Sequence, residues 1–499
     1  MSAQRSALYP HGTTTYEEGR FTMASQGHKR EHNSTASNES KKGFAIILLC
    51  FFSIMIDGYD TFIFGAIVPN ILTFNNPPDW PLLTPPQVGG LNSWALFGMM
   101  IGSIGVGALT DIIGRRKVIL GSVAWFSVLT LWTAHAATPA IFALTRFLAG
   151  IGLGGVMPTA IATVIDFAPP RRRLLYNALM FAGHPFGGVL SAIFSGIWLE
   201  KMGFRFMLEI GAFAGFAIFV ILLIFLPESV SYLVAHGKQK EAEKVARRFG
   251  VNLERVQQEE LASSQEAEAA RQRGGSHNNL ITFLLDTQWR IALVLFVVAA
   301  FASMMLLYGL STWLPNIMKQ QEYNLGGSNT FLFTFSAGAV TGGIVNSLVG
   351  QKIGPKKPLV LSFLLGAFAM VVLPNLPHGA GASALWNVIV FIFVFCAGYG
   401  ANGTQIALNG YTGTYFPSRY RGSATGIANT GLGRLGAIFA PIMVGVLLES
   451  SLGIQWVFYA FTVPAVLGAV AILLVPAKNV HGMPETDTIP QSVQDLARS

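Results

Sequence analysis

The sequence predicts an all-α polytopic membrane protein, with twelve transmembrane helices in two pseudo-symmetric six-helix bundles, and three observations carry that prediction. Charged residues make up only 12% of the 499 residues and hydrophobic ones 52%, whereas soluble domains carry roughly 25% charged residues. Apolar runs of about twenty residues, the length a helix needs to cross a bilayer, recur along nearly the whole chain. The basic residues fall in alternate loops: 110–117, 166–173, 227–290, 351–357 and 415–422 hold twenty Lys and Arg, and the six other loops between segments hold only Lys201, Arg205 and Lys319. That bias marks the cytoplasmic side, so both termini and the central loop are expected there.

In chain order, residues 1–43 are polar and rich in Ser, Thr, Glu, His and Lys, which predicts a disordered cytoplasmic tail and no cleaved signal peptide. The first bundle, 44–226, holds apolar segments at 44–72, 88–109, 118–136, 140–165, 174–199 and 206–226. Residues 227–290, with charged runs such as GKQKEAEKVARR, form a central cytoplasmic loop. The second bundle, 291–475, holds segments at 291–314, 330–350, 358–374, 385–414, 423–448 and 456–475, and 476–499 is a second cytoplasmic tail. Helix is expected for every segment because lipid offers the backbone no hydrogen-bond partner.

The halves repeat one another. An offset of 248 carries Ala149, Gly150, Gly152 and Gly155 onto Ala397, Gly398, Gly400 and Gly403, and Pro169, Arg171 and Arg173 onto Pro417, Arg419 and Arg421. A parallel repeat of this kind places a substrate site at the interface of the halves, near mid-membrane.

Composition also excludes several classes. The net charge of +8 follows from the loop bias, so no nucleic-acid partner is implied. Cys50 and Cys396 both lie inside apolar segments, which implies neither a disulfide framework nor a thiolate metal site. No P-loop and no enzyme constellation stands out, so neither an enzyme nor a nucleotide-driven pump is expected, and no cofactor or metal.

The first apolar segment carries Asp57-Gly58-Tyr59-Asp60 near its middle. Each carboxylate there costs about 2.5–3.5 kcal/mol if it faces lipid. At i and i+3 the two acids share a helix face, directed into the bundle or an aqueous cavity, as proton carriers or as a structural partner for a buried Arg. Arg434 falls near mid-depth of the eleventh segment, where a planar carboxylate is its natural partner, from the substrate or from a first-span aspartate. Arg146, nearer the external end, either touches substrate or snorkels. His184 either hydrogen-bonds a ring hydroxyl or relays a proton, or is a buried histidine bonded to a neighbouring helix. Asn402, Gln405 and Asn409 form a polar stripe on the tenth segment, lining the cavity or bonding between helices. Tyr308, Trp313, Tyr399 and Tyr411 are candidates to stack on an aromatic substrate, or else interface residues.

Between the second and third segments stands Gly107-Ala-Leu-Thr-Asp111-Ile-Ile-Gly114-Arg115-Arg116-Lys117. Its glycines permit a tight turn, and Asp111 can pair with the arginines or with a neighbouring helix N-terminus as a breakable latch. This loop resembles the signature G-x-x-x-D-x-x-G-R-R of the major facilitator superfamily, and the six-plus-six plan extends the resemblance over almost the whole chain. The second-half counterpart, Gly350 to Lys357, keeps the basic charge and lacks the acid. Within the superfamily, Asp57-Gly58-Tyr59-Asp60 looks like the first-span D-G-x-D of the aromatic acid/proton symporters. Arg146 to Pro158, Pro227-Glu228-Ser229 and Gly433-Arg434-Leu435-Gly436 add to that similarity. One departure is Asp166, which stands where that family usually has Glu. The resemblance implies proton symport of a hydroxybenzoate-like carboxylate by alternating access, driven by the proton gradient without a cofactor. It implies a monomeric functional unit in a bacterial inner membrane, and roles for Asp57, Asp60, Asp111, Arg146 and Arg434. A carrier of another organic anion or a sugar, and a receptor that senses aromatic acids without flux, remain the alternatives.

Overall fold

The computed structural model describes residues 18–72, 80–169, 173–272, 287–321, 328–377, 384–416 and 424–476. Every regular element among them is helical. In the first half these are α1 (Glu18–Ile71), α2 (Pro85–Ile113), α3 (Arg115–Ala134), α4 (Pro139–Phe167), α5 (Arg173–Phe181) and α6 (Gly183–Phe225). The central region carries α7 (Val230–Ala235), α8 (Gln239–Phe249) and α9 (Leu253–Gln272). The second half comprises α10 (Thr287–Gln320), α11 (Ser328–Ile353), α12 (Lys356–Val372), α13 (Ala384–Gly398), α14 (Thr404–Tyr415), α15 (Leu435–Glu449) and α16 (Gln455–Leu474).

Ten helices among the described residues are long and apolar enough to cross a membrane. One of them, Leu175–Phe225, runs for 51 residues and is broken at Gly203, whose φ of 78° leaves the helical region. The first helix begins at Glu18, ahead of the first apolar segment and within the stretch expected to be a disordered tail. Residues 1–17 and 477–499 lie outside the described residues. In the central region Ser229 caps α7 by accepting from the Tyr232 amide, and Gly250, in the left-handed region, ends α8.

Within the first half, α2 and α3 pack on α4, while α1 packs on α6. Within the second, α10 packs on α15 and α16, α11 on α13, and α12 on α16. The most extensive contacts between the halves are α1 with α10, α2 with α15, and α6 with α11. Polar bonds fasten α2 of the first half to α10 and to α15 of the second. Asn92 Nδ2 donates to Thr312 Oγ1 at 2.8 Å, and Ser93 Oγ donates to the Ile438 carbonyl at 2.7 Å. Both lie toward the Pro85 end of α2, away from the basic loops.

The repeat is visible in local chemistry as well. Gly114 (φ 100°) and Gly354 (φ 86°) make the turns into α3 and α12, a backbone conformation that favours glycine. Just beyond each turn a basic side chain caps a helix C-terminus: Arg116 Nη2 donates to the Leu223 carbonyl at 2.7 Å, and Lys356 Nζ donates to the Val475 carbonyl at 2.8 Å.

Candidate functional site

The site begins with close approach of α1 and α6. A Cβ on Gly58 would lie 1.9 Å from the His184 carbonyl oxygen, so a hydrogen at this position lets the two helices touch beside Asp57. Asp57 is fully buried, and neither of its carboxylate oxygens has a hydrogen-bond partner. Asp60 has a different neighbour. Its Oδ1 accepts from Arg146 Nη1 at 2.5 Å, joining α1 to α4, and the Arg146 guanidinium also stands 5.5 Å from the Phe64 ring centre. Arg146 is only 2% exposed, so the snorkelling alternative is excluded: it is half of a buried ion pair. The helix spacing that puts both acids on one face thus leaves them in separate chemical settings.

The second half contributes through departures from α-helical geometry. Residues Tyr399–Gly403 form a π turn that includes Asn402, and Gly426–Gly431 form another, followed by a 3-10 turn at Leu432–Arg434. Such turns re-aim side chains and are frequent at functional sites. Asn402 Nδ2 meets His184 Nδ1 at 3.3 Å, a hydrogen bond across the two halves. The His184 ring stands edge-on to Phe62 at 5.6 Å and to Tyr308 at 6.5 Å between ring centres. Arg434 is 2% exposed, its Nε has no partner, and its Nη2 approaches Met99 Sδ at 4.0 Å. The Tyr308 hydroxyl lies beside the guanidinium, which is close enough for its charge to bear on Asp57 and His184. No carboxylate among the described residues forms an ion pair with Arg434, although a buried guanidinium is costly unless it is paired.

One cluster therefore unites Asp57, Phe62, Met99 and His184 of the first half with Tyr308, Asn402 and Arg434 of the second. Other candidates are committed elsewhere. Trp313 donates its indole N–H to the Pro441 carbonyl at 2.9 Å and fastens α10 to α15. Tyr399 donates its hydroxyl to Asn346 Oδ1 at 3.1 Å on α11. Gln405 Nε2 donates to Asn409 Oδ1 at 3.1 Å, and the two bond to each other along α14. Tyr411 packs edge-on to Phe296 and Tyr415. Their common difficulty is that a polar or aromatic residue on a buried helix face has several neighbours to choose from, and sequence spacing does not say which. Phe62 and Met99 gave no sequence signal beyond apolar character.

At the basic-loop end, Asp166 on α4 is the hub. It pairs with Arg115 Nη1, accepts from Ser229 Oγ, and accepts from Ser231 Oγ at 3.0 Å. Glu228 accepts from the Arg116 amide at 3.0 Å, placing a carboxylate on the N-terminus of α3. Asp166 thus pairs with Arg115, and Glu228 holds the helix end, at the junction where the latch was expected. The side chains at positions 107 and 111 lie outside the described residues. The Pro227-Glu228-Ser229 sequence was the signal for this junction, but only the tertiary contact assigns Glu228 its partner.

The family model of the Major Facilitator Superfamily matches residues 50–433 and 328–497. The benzoate transport protein of Acinetobacter baylyi is 30% identical over 448 residues, 87% of this chain and 90% of that protein. The gentisate transporter of Corynebacterium glutamicum is 29% identical over 436 residues, 87% of each chain. The 4-hydroxybenzoate transporter PcaK of Acinetobacter baylyi is 27% identical over 463 residues, 91% of this chain and 96% of that protein. Among solved structures, the xylose transporter XylE from E. coli in a partially occluded inward-open conformation superposes with a TM-score of 0.66. It is 17% identical, and the match covers 87% of this chain and 100% of that one, which speaks for the fold. The chain is a multi-pass membrane transporter rather than an enzyme, and it belongs to the Major Facilitator Superfamily, in the company of its aromatic-acid transporters.

Proposed function

We propose that this protein imports a small aromatic carboxylate together with a proton across a bacterial inner membrane, as a monomer with both termini and the basic loops in the cytoplasm. The observation that carries the reading is Arg434, a buried guanidinium without a carboxylate partner among the described residues, set beside an unpartnered Asp57 between the two halves. A planar carboxylate satisfies a guanidinium through two parallel hydrogen bonds. The rings of Phe62, His184 and Tyr308 supply edges against which an aromatic substrate packs. The names of the relatives support the same class of substrate.

In this reading Asp57 carries the coupling proton. An ionised carboxylate buried without a hydrogen bond is expensive, and a proton removes the charge. Asp60 is already compensated by Arg146, and both members of that pair belong to the first half, so it holds α1 against α4 while Asp57 faces the opposite half. With the anion on Arg434 and a proton on Asp57 the interface carries no uncompensated charge, and the halves rock about it. Counting α2 and both arms of the kinked Leu175–Phe225 helix, the bundle has twelve crossings. The geometry is that of a carrier shut on the side opposite the basic loops, where α2 and α15 meet.

Uptake of labelled benzoate and 4-hydroxybenzoate into right-side-out vesicles, with and without a proton gradient, tests the reading. Gradient-driven accumulation is expected, with Asp57→Asn abolishing it and Arg434→Lys weakening carboxylate binding by roughly 30-fold or more, since an ammonium cannot make the bidentate pair. Binding without accumulation would instead identify a receptor, and unchanged affinity in Arg434→Lys would remove that residue from the site.

A further inference from the structure

The cluster holds a polar group that faces the substrate ring as well as one for its carboxylate. His184 is 4% exposed, and its two nitrogens are in unequal positions: Nδ1 meets the amide nitrogen of Asn402 at 3.3 Å, and Nε2 has no partner. An amide NH2 is a donor only, so the Nδ1 that faces it is the acceptor, and in a neutral imidazole the hydrogen then resides on Nε2. The side chain is left presenting a buried N–H donor with nothing to bond. A buried donor without a partner is destabilising, which makes it a strong discriminator between ligands that satisfy it and ligands that do not. Its place in the fold is equally specific. The ring is wedged edge-on between Phe62 and Tyr308, and Tyr308 in turn stands beside Arg434. A small ring held by its carboxylate on Arg434 and flanked by Tyr308 therefore extends toward His184.

We propose that His184, with its tautomer set by Asn402, hydrogen-bonds an oxygen substituent on the substrate ring, so that the carrier selects ring-hydroxylated aromatic acids over the unsubstituted acid. The inference rests on the assignment of an aromatic carboxylate to Arg434 and adds the substituent and the residue that recognises it. It also fixes the sense of the bond. The ring substituent accepts, so a hydroxyl satisfies the site, whereas an aromatic amine of the same size brings hydrogens to a donor and has its lone pair drawn into the ring. Asn402 acts as a positioning residue, through the histidine alone.

The test is equilibrium binding to the purified full-length protein in lipid nanodiscs, with benzoate, 3- and 4-hydroxybenzoate and 3- and 4-aminobenzoate as probes. The wild-type protein is expected to bind at least one hydroxybenzoate roughly tenfold or more tighter than benzoate, and tighter than the matching aminobenzoate. His184→Phe, which keeps a ring edge and removes the donor, is expected to erase that preference by weakening hydroxybenzoate binding roughly tenfold more than benzoate binding. His184→Gln, which retains a donor, is expected to restore part of it. Equal affinity of the wild-type protein for benzoate and both hydroxybenzoates overturns the proposal without any variant, so misfolding of the His184 variants cannot shield it. An equal loss for all five ligands in His184→Phe also overturns it, since that is what a purely structural histidine produces. Binding of none of the five to the wild-type protein would defeat the broader assignment of an aromatic carboxylate, a different result from binding without discrimination.

Discussion

Asp60→Asn leaves Arg146 charged, 2% exposed and deprived of its carboxylate, in a position where its Nε already lacks a partner. Removing one member of a buried ion pair typically costs about 3–5 kcal/mol, because the surviving charge is desolvated without compensation. The Phe64 ring, 5.5 Å from the guanidinium, returns about 0.5–2 kcal/mol and cannot offset that loss. The reverse change is milder. Arg146→Leu strands a carboxylate, which can take up a proton and become neutral, whereas a guanidinium stays charged at any accessible pH. The combined variant Asp60→Asn, Arg146→Leu removes the charge altogether and is expected within about 1.5 kcal/mol of wild type, as buried pairs replaced by apolar groups usually are. Denaturant titrations of the four proteins in the same detergent give the coupling energy directly. The expected order of stability is wild type and double variant together, then Arg146→Leu, then Asp60→Asn. If Asp60→Asn falls within about 0.5 kcal/mol of wild type, or if the two single effects simply add, the pair is not the buried fastening described above.

Two glycine contacts make further predictions. Gly58→Ala pushes a methyl into the His184 carbonyl, a backbone atom that cannot rotate away, and is expected to destabilise by about 1–3 kcal/mol or more; Gly90→Ala, with open space around its Cβ, is expected to be neutral or to stabilise α2 by up to ~1 kcal/mol. Thermal unfolding of the two variants side by side checks this, and equal midpoints would contradict it. Gly89→Ala sets a Cβ 2.3 Å from the Pro441 carbonyl and so wedges α2 from α15 on the side opposite the basic loops. A Ser93→Cys reporter, buried at 4% exposure in the present arrangement, is expected to react faster with a membrane-impermeant thiol reagent when Gly89→Ala is added. An unchanged labelling rate would show that this contact does not gate the site.

Particular residues show how far the sequence could be read. The spans, their grouping in halves and the cytoplasmic arginine motif follow from local quantities: run length, charge distribution and turn glycines. Those are imposed by the bilayer residue by residue, so no tertiary information is needed to see them. Asp57, Asp60, Arg146, His184 and Arg434 stood out for the same reason, because a polar group at membrane depth is expensive wherever it points. The choice of partner is a different matter. Asp60 pairs with Arg146 while Asp57 does not, Trp313 serves α15, and Glu228 caps α3.

By itself, then, the sequence determined that this chain crosses a membrane many times, and it singled out the basic loops and the few intramembrane charges. Only the tertiary structure decided which charges meet. Asn402 reaches His184 because a π turn rotates it out of helical register, and Arg434 ends the 3-10 turn that follows a second π turn. Helical periodicity assigns a residue to a face of its own helix. The contact between faces depends on how the helices pack against one another, through glycines that let backbones touch at Gly58 and Gly89. That packing is a property of the whole bundle, and it is what separates one aspartate already paired from another still without a partner.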